Sequence, residues 1–182
     1  MRCWHLESEL ENLGEHDYSH DRVSPPTRGP VGYNCIAWAA GTNTQRWWPS
    51  KTRKFYYYWP PHLPREDHQQ ETLENFIRAF EWRGYRRCWN VKLEQGVEKV
   101  AIFIGPRGNP LHAARQLPSG TCTSKCGDYE DIEHTRLDAV AGKQYGKPVA
   151  FLKRRLDGEP FIQDRILLWF RRLFPSAYEQ QS

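Results

Sequence analysis

The sequence lacks any run of eighteen consecutive apolar residues, so no segment predicts a helix that crosses a membrane. It also lacks an early apolar stretch typical of an export signal, and we therefore expect a cytoplasmic protein. Export by a dedicated secretion system is the alternative, because proteins delivered in that way also lack such a signal. The five cysteines are an odd number, so a disulfide framework would be incomplete, which favours a reducing compartment.

The excess of positive over negative charge is also small. The 26 Lys and Arg residues against 22 Asp and Glu residues leave a formal net charge of +4, which does not by itself indicate a nucleic-acid partner. Aromatic residues are plentiful at 14%, with 8 tryptophans, so the chain can bury a sizeable core. At 182 residues we expect a single domain over 1–182, with a core at about 31–152 and a basic amphipathic helical extension at 153–182.

The apolar periodicity predicts a small set of helices and strands. A helix is strongest from Leu73 to Gly84, where apolar residues recur every three or four positions and a glycine ends the pattern. The stretch 17–32 is expected to be a loop, and the aromatic segment 47–61 is too irregular for a helix. The other expected helices are at 6–13, 33–40 and 161–174, and the expected strands are at 99–104, 112–117, 121–125 and 148–152.

A cysteine and a distant histidine are the candidate catalytic pair. Cys35 opens the short apolar helix, and His112 lies at the head of a strand. A helix N-terminus lowers the pKa of a thiol, and the thiolate is a nucleophile. An imidazole beside it would take the proton and return it to the leaving group. The alternative is that Cys35 is only a small buried apolar side chain.

A third polar group is expected to orient the imidazole of His112, and the sequence leaves several candidates. The register of the hairpin at 112–125 places either Lys125 or Ser124 opposite the histidine. A carboxylate would be the better acceptor for a ring N–H, which favours Asp131 or Glu133. The remaining positioning candidates are His134, and Asn34 or the Cys35 backbone N–H as parts of an oxyanion hole.

Two groups of motifs resemble a known family. The run Asn34-Cys35-Ile36-Ala37-Trp38-Ala39 resembles the nucleophile motif of bacterial papain-like hydrolases of the NlpC and CHAP type. The second half resembles an uncharacterised bacterial branch of that group through the motifs His112-Ala113-Ala114, Gly120, Ser124-Lys125-Cys126-Gly127, Ile132-Glu133-His134 and Tyr145-Gly146.

This resemblance implies an α+β papain-like fold, in which a nucleophile-bearing helix packs on a small antiparallel sheet. It implies a cysteine hydrolase or acyl transferase that acts on a peptide, protein or acyl substrate, with a bacterial toxin or effector among its roles. No cofactor is expected. No metal is expected either, because Cys122, Cys126 and His134 lack the second compact ligand pair of a zinc site.

A non-catalytic binding module is the alternative function. It would hold its partner through the aromatic segment 47–61 and the basic tail, because exposed aromatic clusters mark interaction sites. A basic amphipathic helix in the tail is also compatible with contact to a membrane surface. The sequence gives no indication of the oligomeric state.

Overall fold

The computed structural model describes residues 18–20, 32–50, 57–64, 66–127, 131–159 and 161. The helix expected at 6–13 lies outside the described residues, as does all of the helix expected at 161–174 except its first residue. In the expected loop at 17–32, a short strand replaces coil at Tyr18–His20.

The described part of the chain forms nine strands, two α-helices and one 3₁₀ helix. The helices are α1 (Cys35–Ala39) and α2 (Leu73–Trp82), with the 3₁₀ helix at Asp67–Gln69. The strands are β1 (Tyr18–His20), β2 (Arg46–Trp47), β3 (Tyr57–Tyr58), β4 (Arg86–Cys88), β5 (Val97–Ile104), β6 (Pro110–Gln116), β7 (Cys122–Lys125), β8 (Asp131–His134) and β9 (Lys147–Arg155).

Seven of the strands form one antiparallel sheet in the order β1-β8-β7-β6-β5-β9-β4, while β2 and β3 form a separate parallel pair. The long ladders join β5 to β6 and to β9, so β5 lies inside the sheet. The ladder between β6 and β7 is short. It consists of the pairs Arg115–Thr123 and Gln116–Cys122, although both strands continue beyond them.

The expected α+β papain-like fold is wrong. The structure is mostly β, with about 35% strand and 14% helix. Five of the nine strands were not expected, among them Arg86–Cys88 and Asp131–His134, which are short and rich in charge. These two strands pair at the two sides of the sheet and extend it, whereas α1 has only five residues and is too short to form a helical layer.

Alternation along the strands gives the sheet two different apolar faces. Val100 and Ile102 pack with the helices in one cluster, whereas Ala101 and Phe103 pack in the other. We call these the helical face and the loop face, because the second cluster is completed by residues 137–141 and Tyr145 from the β8–β9 connection.

The helix α2 anchors the helical face. The side chain of Thr72 accepts a hydrogen bond from the Asn75 backbone N–H and begins the helix. Its apolar stripe is buried, and the Phe76 ring lies 5.0 Å from Trp59 and 5.1 Å from Trp48. Trp47 and Trp59 are buried as well, so much of the aromatic segment contributes to the core.

We expect Phe76→Ala to lower the free energy of unfolding by about 3–5 kcal/mol, because it leaves a cavity among fully buried aromatic rings. Arg78→Ala on the exposed side of the same helix is the control and should change stability by less than about 0.5 kcal/mol. Urea titration of both variants measures the difference. A Phe76→Ala loss as small as that of the control would contradict this packing.

Candidate functional site

The start of α1 is fixed by the side chain of Asn34. Its Oδ1 accepts hydrogen bonds from the backbone N–H of Ala37 at 3.2 Å and of Trp47 at 3.0 Å, and its Nδ2 donates to the Trp47 carbonyl at 2.9 Å. Asn34 is therefore the helix cap and the tie to β2. Its Oδ1 accepts two hydrogen bonds, and one of the two N–H groups of Nδ2 is used in these contacts.

The Cys35 sulfur lies where β6 and β7 separate. Cys35 is 8% exposed, and its Sγ is 3.9 Å from the carbonyl oxygen of Leu111. The backbone N–H of Ala113 is also directed at the sulfur. Leu111 and Ala113 flank His112 in β6, so the thiol contacts the peptide groups on both sides of that histidine.

The imidazole of His112 points toward the loop face of the sheet. It is fully buried, stacks on the Tyr145 ring with centroids 4.1 Å apart and planes at 17°, and meets the Phe103 ring edge-on at 5.4 Å. Within the described residues no hydrogen bond joins the Cys35 sulfur to this ring. Cys35 packs in the helical-face cluster, whereas the His112 ring packs against loop-face residues, so the two side chains lie on different faces of β6. A direct bond between the sulfur and the imidazole therefore requires movement.

A chain of hydrogen bonds orients the His112 ring. Its Nε2 is 3.1 Å from the Ser124 hydroxyl, which is 3.0 Å from Nε2 of His134. Nδ1 of His134 is 2.6 Å from the carbonyl oxygen of Arg136. Because a carbonyl only accepts, His134 carries its proton on Nδ1, and Ser124 must then donate to His134. The same hydroxyl accepts from His112 Nε2–H, which leaves Nδ1 of His112 as an unprotonated acceptor.

That Nδ1 atom has no hydrogen-bond partner in the part of the chain that the structure describes, although it is buried. An unsatisfied buried acceptor is costly and commonly marks a functional group. The structure thus brings together three of the candidates, His112, Ser124 and His134. The observed pairs Arg115–Thr123 and Gln116–Cys122 follow neither of the two expected hairpin registers, so Ser124 reaches the ring through its hydrogen bond and not through the expected pairing.

Burial keeps this site uncharged at rest. It lowers the pKa of His112 to about 3, with help from His134, and it lowers the pKa of His134 to about 4. Burial raises the pKa of the Cys35 thiol to about 11, against smaller opposing effects from backbone amides and Lys125. A neutral thiol and a neutral imidazole are therefore the resting forms near pH 7.

Two other candidates lie on the helical face. Lys125 and Asp131 pair across β7 and β8, both fully buried, with Lys125 Nζ 3.8 Å from Asp131 Oδ1. The Tyr33 hydroxyl donates to the other carboxylate oxygen of Asp131, and Lys125 Nζ lies 5.2 Å from the centre of the Tyr33 ring. Asp131 is thus held by this cluster and does not orient His112.

Glu133 does not face the imidazole either. It pairs with Thr123, whose hydroxyl accepts a hydrogen bond from the Trp38 indole of α1 at 3.0 Å, so both residues belong to the helical face. Cys122 and Cys126 are fully buried in the loop-face cluster. In the described ranges no three His, Cys, Asp or Glu residues form a group that could hold a metal ion.

Tyr145 is the contact that sequence reasoning missed. Its position depends on Gly146, which has a φ of 76°, and a Cβ at that residue would lie 1.9 Å from the carbonyl oxygen of Ile104. Gly142 and Gly146 exchange backbone hydrogen bonds of 2.9 and 2.7 Å, which close the loop that carries Tyr145. The Tyr145-Gly146 pair in the sequence was the available signal.

A separate open cavity of about 750 Å³ lies beside β4 and β9. Arg83, Arg86 and Arg154 are among its lining residues, whereas Cys35 and His112 are not. Glu98, almost fully buried, binds Arg154 and also accepts a 2.8 Å hydrogen bond from the Tyr85 hydroxyl. The charge of Glu98 is thus already paired within the protein. We therefore keep the surroundings of Cys35, and not this cavity, as the candidate site.

Comparison with known proteins identifies a family without a known activity. The model of the domain of unknown function DUF7689 matches residues 23–153, which is most of the chain, so this protein belongs to that family. No curated protein and no solved structure matches it. The family match does not link the chain to the papain-like hydrolases that its motifs resemble. Among the described residues, no helix has the length and apolar character needed to cross a membrane.

The two buried histidines predict a loss of stability in acid. Each has a folded pKa below its ordinary value of 6.5, so the unfolded chain binds more protons as the pH falls below that value. Stability is therefore full above about pH 6.5 and falls toward pH 4, by up to about 1.4 kcal/mol per pH unit for each histidine. Urea unfolding at several pH values measures this slope.

The variant His134→Gln should show a shallower decline between pH 6.5 and 4, because one of the two groups no longer titrates. His62→Gln is the matched control, since that histidine is exposed. If the free energy of unfolding falls equally steeply with pH in the wild type and in His134→Gln, the His134 ring does not cause the loss of stability in acid.

Proposed function

We propose that this protein is a cysteine-dependent hydrolase or acyl transferase acting on an amide or related acyl bond. One observation carries the proposal. The Cys35 thiol contacts the peptide groups on both sides of His112, while Ser124 orients that imidazole and Nδ1 remains an unpaired acceptor. A thiol, a base and a group that orients the base are the parts that nucleophilic catalysis requires. The proposal does not depend on a papain-like fold.

In the proposed reaction, movement of α1 or β6 first brings the Cys35 sulfur within reach of Nδ1 of His112, and the thiol proton then transfers to that nitrogen. The sulfur then attacks the carbonyl carbon of the substrate, a C–S bond forms, and the resulting oxyanion collapses as the bond to the leaving group breaks. The imidazolium returns its proton to that leaving amine or alcohol. Water attacks the thioester in a hydrolase, and a second amine or hydroxyl does so in a transferase. Either step releases the free thiol.

Because the Cys35 thiol and the His112 imidazole are both neutral at rest, the thiolate nucleophile must form during the reaction. At pH 7 little of the thiol with a pKa of about 11 is ionised, so the nucleophile forms as its proton moves to His112. The backbone N–H groups of Ile36 and Ala113 stabilise negative charge on sulfur, and the buried charge of Lys125 acts in the same direction. The hydrogen bond from His112 to Ser124 becomes stronger once the ring is charged.

We place the reaction in the cytoplasm, either of the producing cell or of a cell that receives the protein as a toxin or effector. All four described cysteines are free thiols, as a reducing compartment would keep them. A peptide, a protein side-chain amide or an acyl chain each presents the carbonyl carbon that the thiol requires. The binding-module alternative is weaker, because Trp47 and Trp59 of its aromatic segment are buried.

The first test is acyl transfer from p-nitrophenyl acetate, a generic acyl donor. We expect a burst of p-nitrophenol together with an acetyl adduct on Cys35 in peptide mass spectrometry. Cys35→Ala should abolish both signals, with little loss of stability because a single sulfur atom is removed. Cys88→Ala is the matched control, since that thiol is free and partly exposed.

Two results would refute the proposed nucleophile. One is an unchanged burst in Cys35→Ala, and the other is acetylation that maps to Cys88 or Cys122 in the wild type. Thermal unfolding of each variant ensures that a loss of activity does not reflect a loss of the fold.

Ser124→Ala tests the orienting role of the hydroxyl. We expect the acylation rate constant to fall by about 10²-fold, with the affinity for p-nitrophenyl acetate little changed, because the imidazole loses its fixed orientation. Ser124→Thr keeps the hydroxyl and should recover part of the rate. If Ser124→Ala changes only stability, or if both variants are equally slow, Ser124 is structural.

A further inference from the structure

The loop between β4 and β5 presents three apolar side chains to solvent. Trp89 is 96% exposed, Leu93 is 51% exposed and Val91 is 42% exposed. Single exposed apolar residues are common on protein surfaces, but a fully exposed tryptophan with two aliphatic neighbours on one loop is not. Their alternate spacing along 89–93 places Lys92, also exposed, among them.

This loop is firmly attached to the sheet below it. Lys99 of β5 is fully buried, and its Nζ donates to the backbone carbonyl of Asn90 at 2.7 Å and to that of Lys92. The same Nζ forms an ion pair with Glu94 at 2.6 Å. Lys153 of β9 binds the same Glu94 at 2.7 Å. A buried lysine that binds two loop carbonyls fixes the backbone, so the loop backbone has little conformational entropy left to lose on binding.

The loop carries one lysine, Lys92, and one carboxylate, Glu94. Lys99 of β5 and Lys153 of β9 both bind that carboxylate, so the loop together with these two lysines has three positive charges against one negative charge, a net charge of +2. Apolar side chains beside an exposed lysine are suited to the boundary between lipid headgroups and acyl chains. A tryptophan at the tip suits that boundary as well, because its ring is apolar and its indole N–H is polar.

We propose that this loop docks the protein on an anionic lipid surface, with Trp89 inserted among the headgroups and Lys92 against their negative charge. The patch is too small for a standard protein partner. Three partly exposed side chains offer on the order of a few hundred Å², whereas a stable protein interface uses about 800 Å² on each side. A lipid surface requires only shallow insertion of a few anchors. This inference is independent of the proposed catalytic role of Cys35.

The test is sedimentation of the full chain with vesicles of phosphatidylcholine alone and of phosphatidylcholine mixed with phosphatidylglycerol. We expect binding to the anionic vesicles, weaker binding to the neutral ones, and reduced binding at high salt. Trp89→Ala should weaken binding about tenfold. The variant should fold normally, since a side chain that is 96% exposed contributes almost nothing to packing.

Trp82→Ala is the matched control. Trp82 is 39% exposed at the end of α2, and its ring packs against Trp47 and Tyr58, so it lies away from the loop. Its removal should leave binding to the vesicles unchanged. Failure of the wild type to bind anionic vesicles would overturn the proposal. So would equal binding to neutral vesicles, equal losses in the two tryptophan variants, or a dimer in solution that dissociates in Trp89→Ala.

Discussion

The candidate site depends on the early end of the ladder between β6 and β7. Two residue pairs next to the hairpin turn join these strands, and the strands then separate. The separation leaves the Leu111 carbonyl and the Ala113 amide of β6 free of β7, and the sulfur of Cys35 occupies that place. A fully paired ladder would have satisfied both groups and left no position for the thiol. The short helix α1 is held there by contacts to both strands, through Trp38 to Thr123 and from Arg115 to the Trp38 carbonyl.

Consecutive residues of β7 serve two separate polar networks. Ser124 points to the loop face and joins two histidines, while Lys125 points to the helical face and pairs with Asp131. Side chains alternate along a strand, so one short segment supplies a neutral network and a charged one without contact between them. Both networks are fully buried, where polar groups are stable only with partners. In the neutral network, Nδ1 of His112 has no hydrogen-bond partner among the described residues. The charged network lies close enough for Lys125 to lower the pKa of Cys35.

Local sequence patterns predicted both α-helices and four of the nine strands that the structure describes, but not the fold class. The 73–84 pattern, the apolar stretch at 33–40 and the apolar run at 99–104 predict α2, α1 and β5 within a few residues each. β4 and β8 escaped detection because three or four residues with charged side chains carry no clear alternation, and they form only through pairing with distant strands. In the site, Ser124 was one of several register alternatives, and a one-residue slip separates it from Lys125. The stacking of Tyr145 on His112 arises from a close backbone approach, and the Tyr145-Gly146 pair in the sequence does not by itself specify which residue the chain approaches.

The close contact of Gly146 with Ile104 also determines how much water reaches the imidazole of His112. The Tyr145 ring covers His112 because the chain at residue 146 lies against the β5 backbone, where even one methyl group has no room. The exclusion of water that keeps His112 neutral is therefore set by the absence of a side chain at Gly146, which is far from Cys35 in the sequence. A change in this loop alone would therefore alter the pKa of the imidazole. Moving Tyr145 away would admit water and raise that pKa, while every polar residue of the site stays in place.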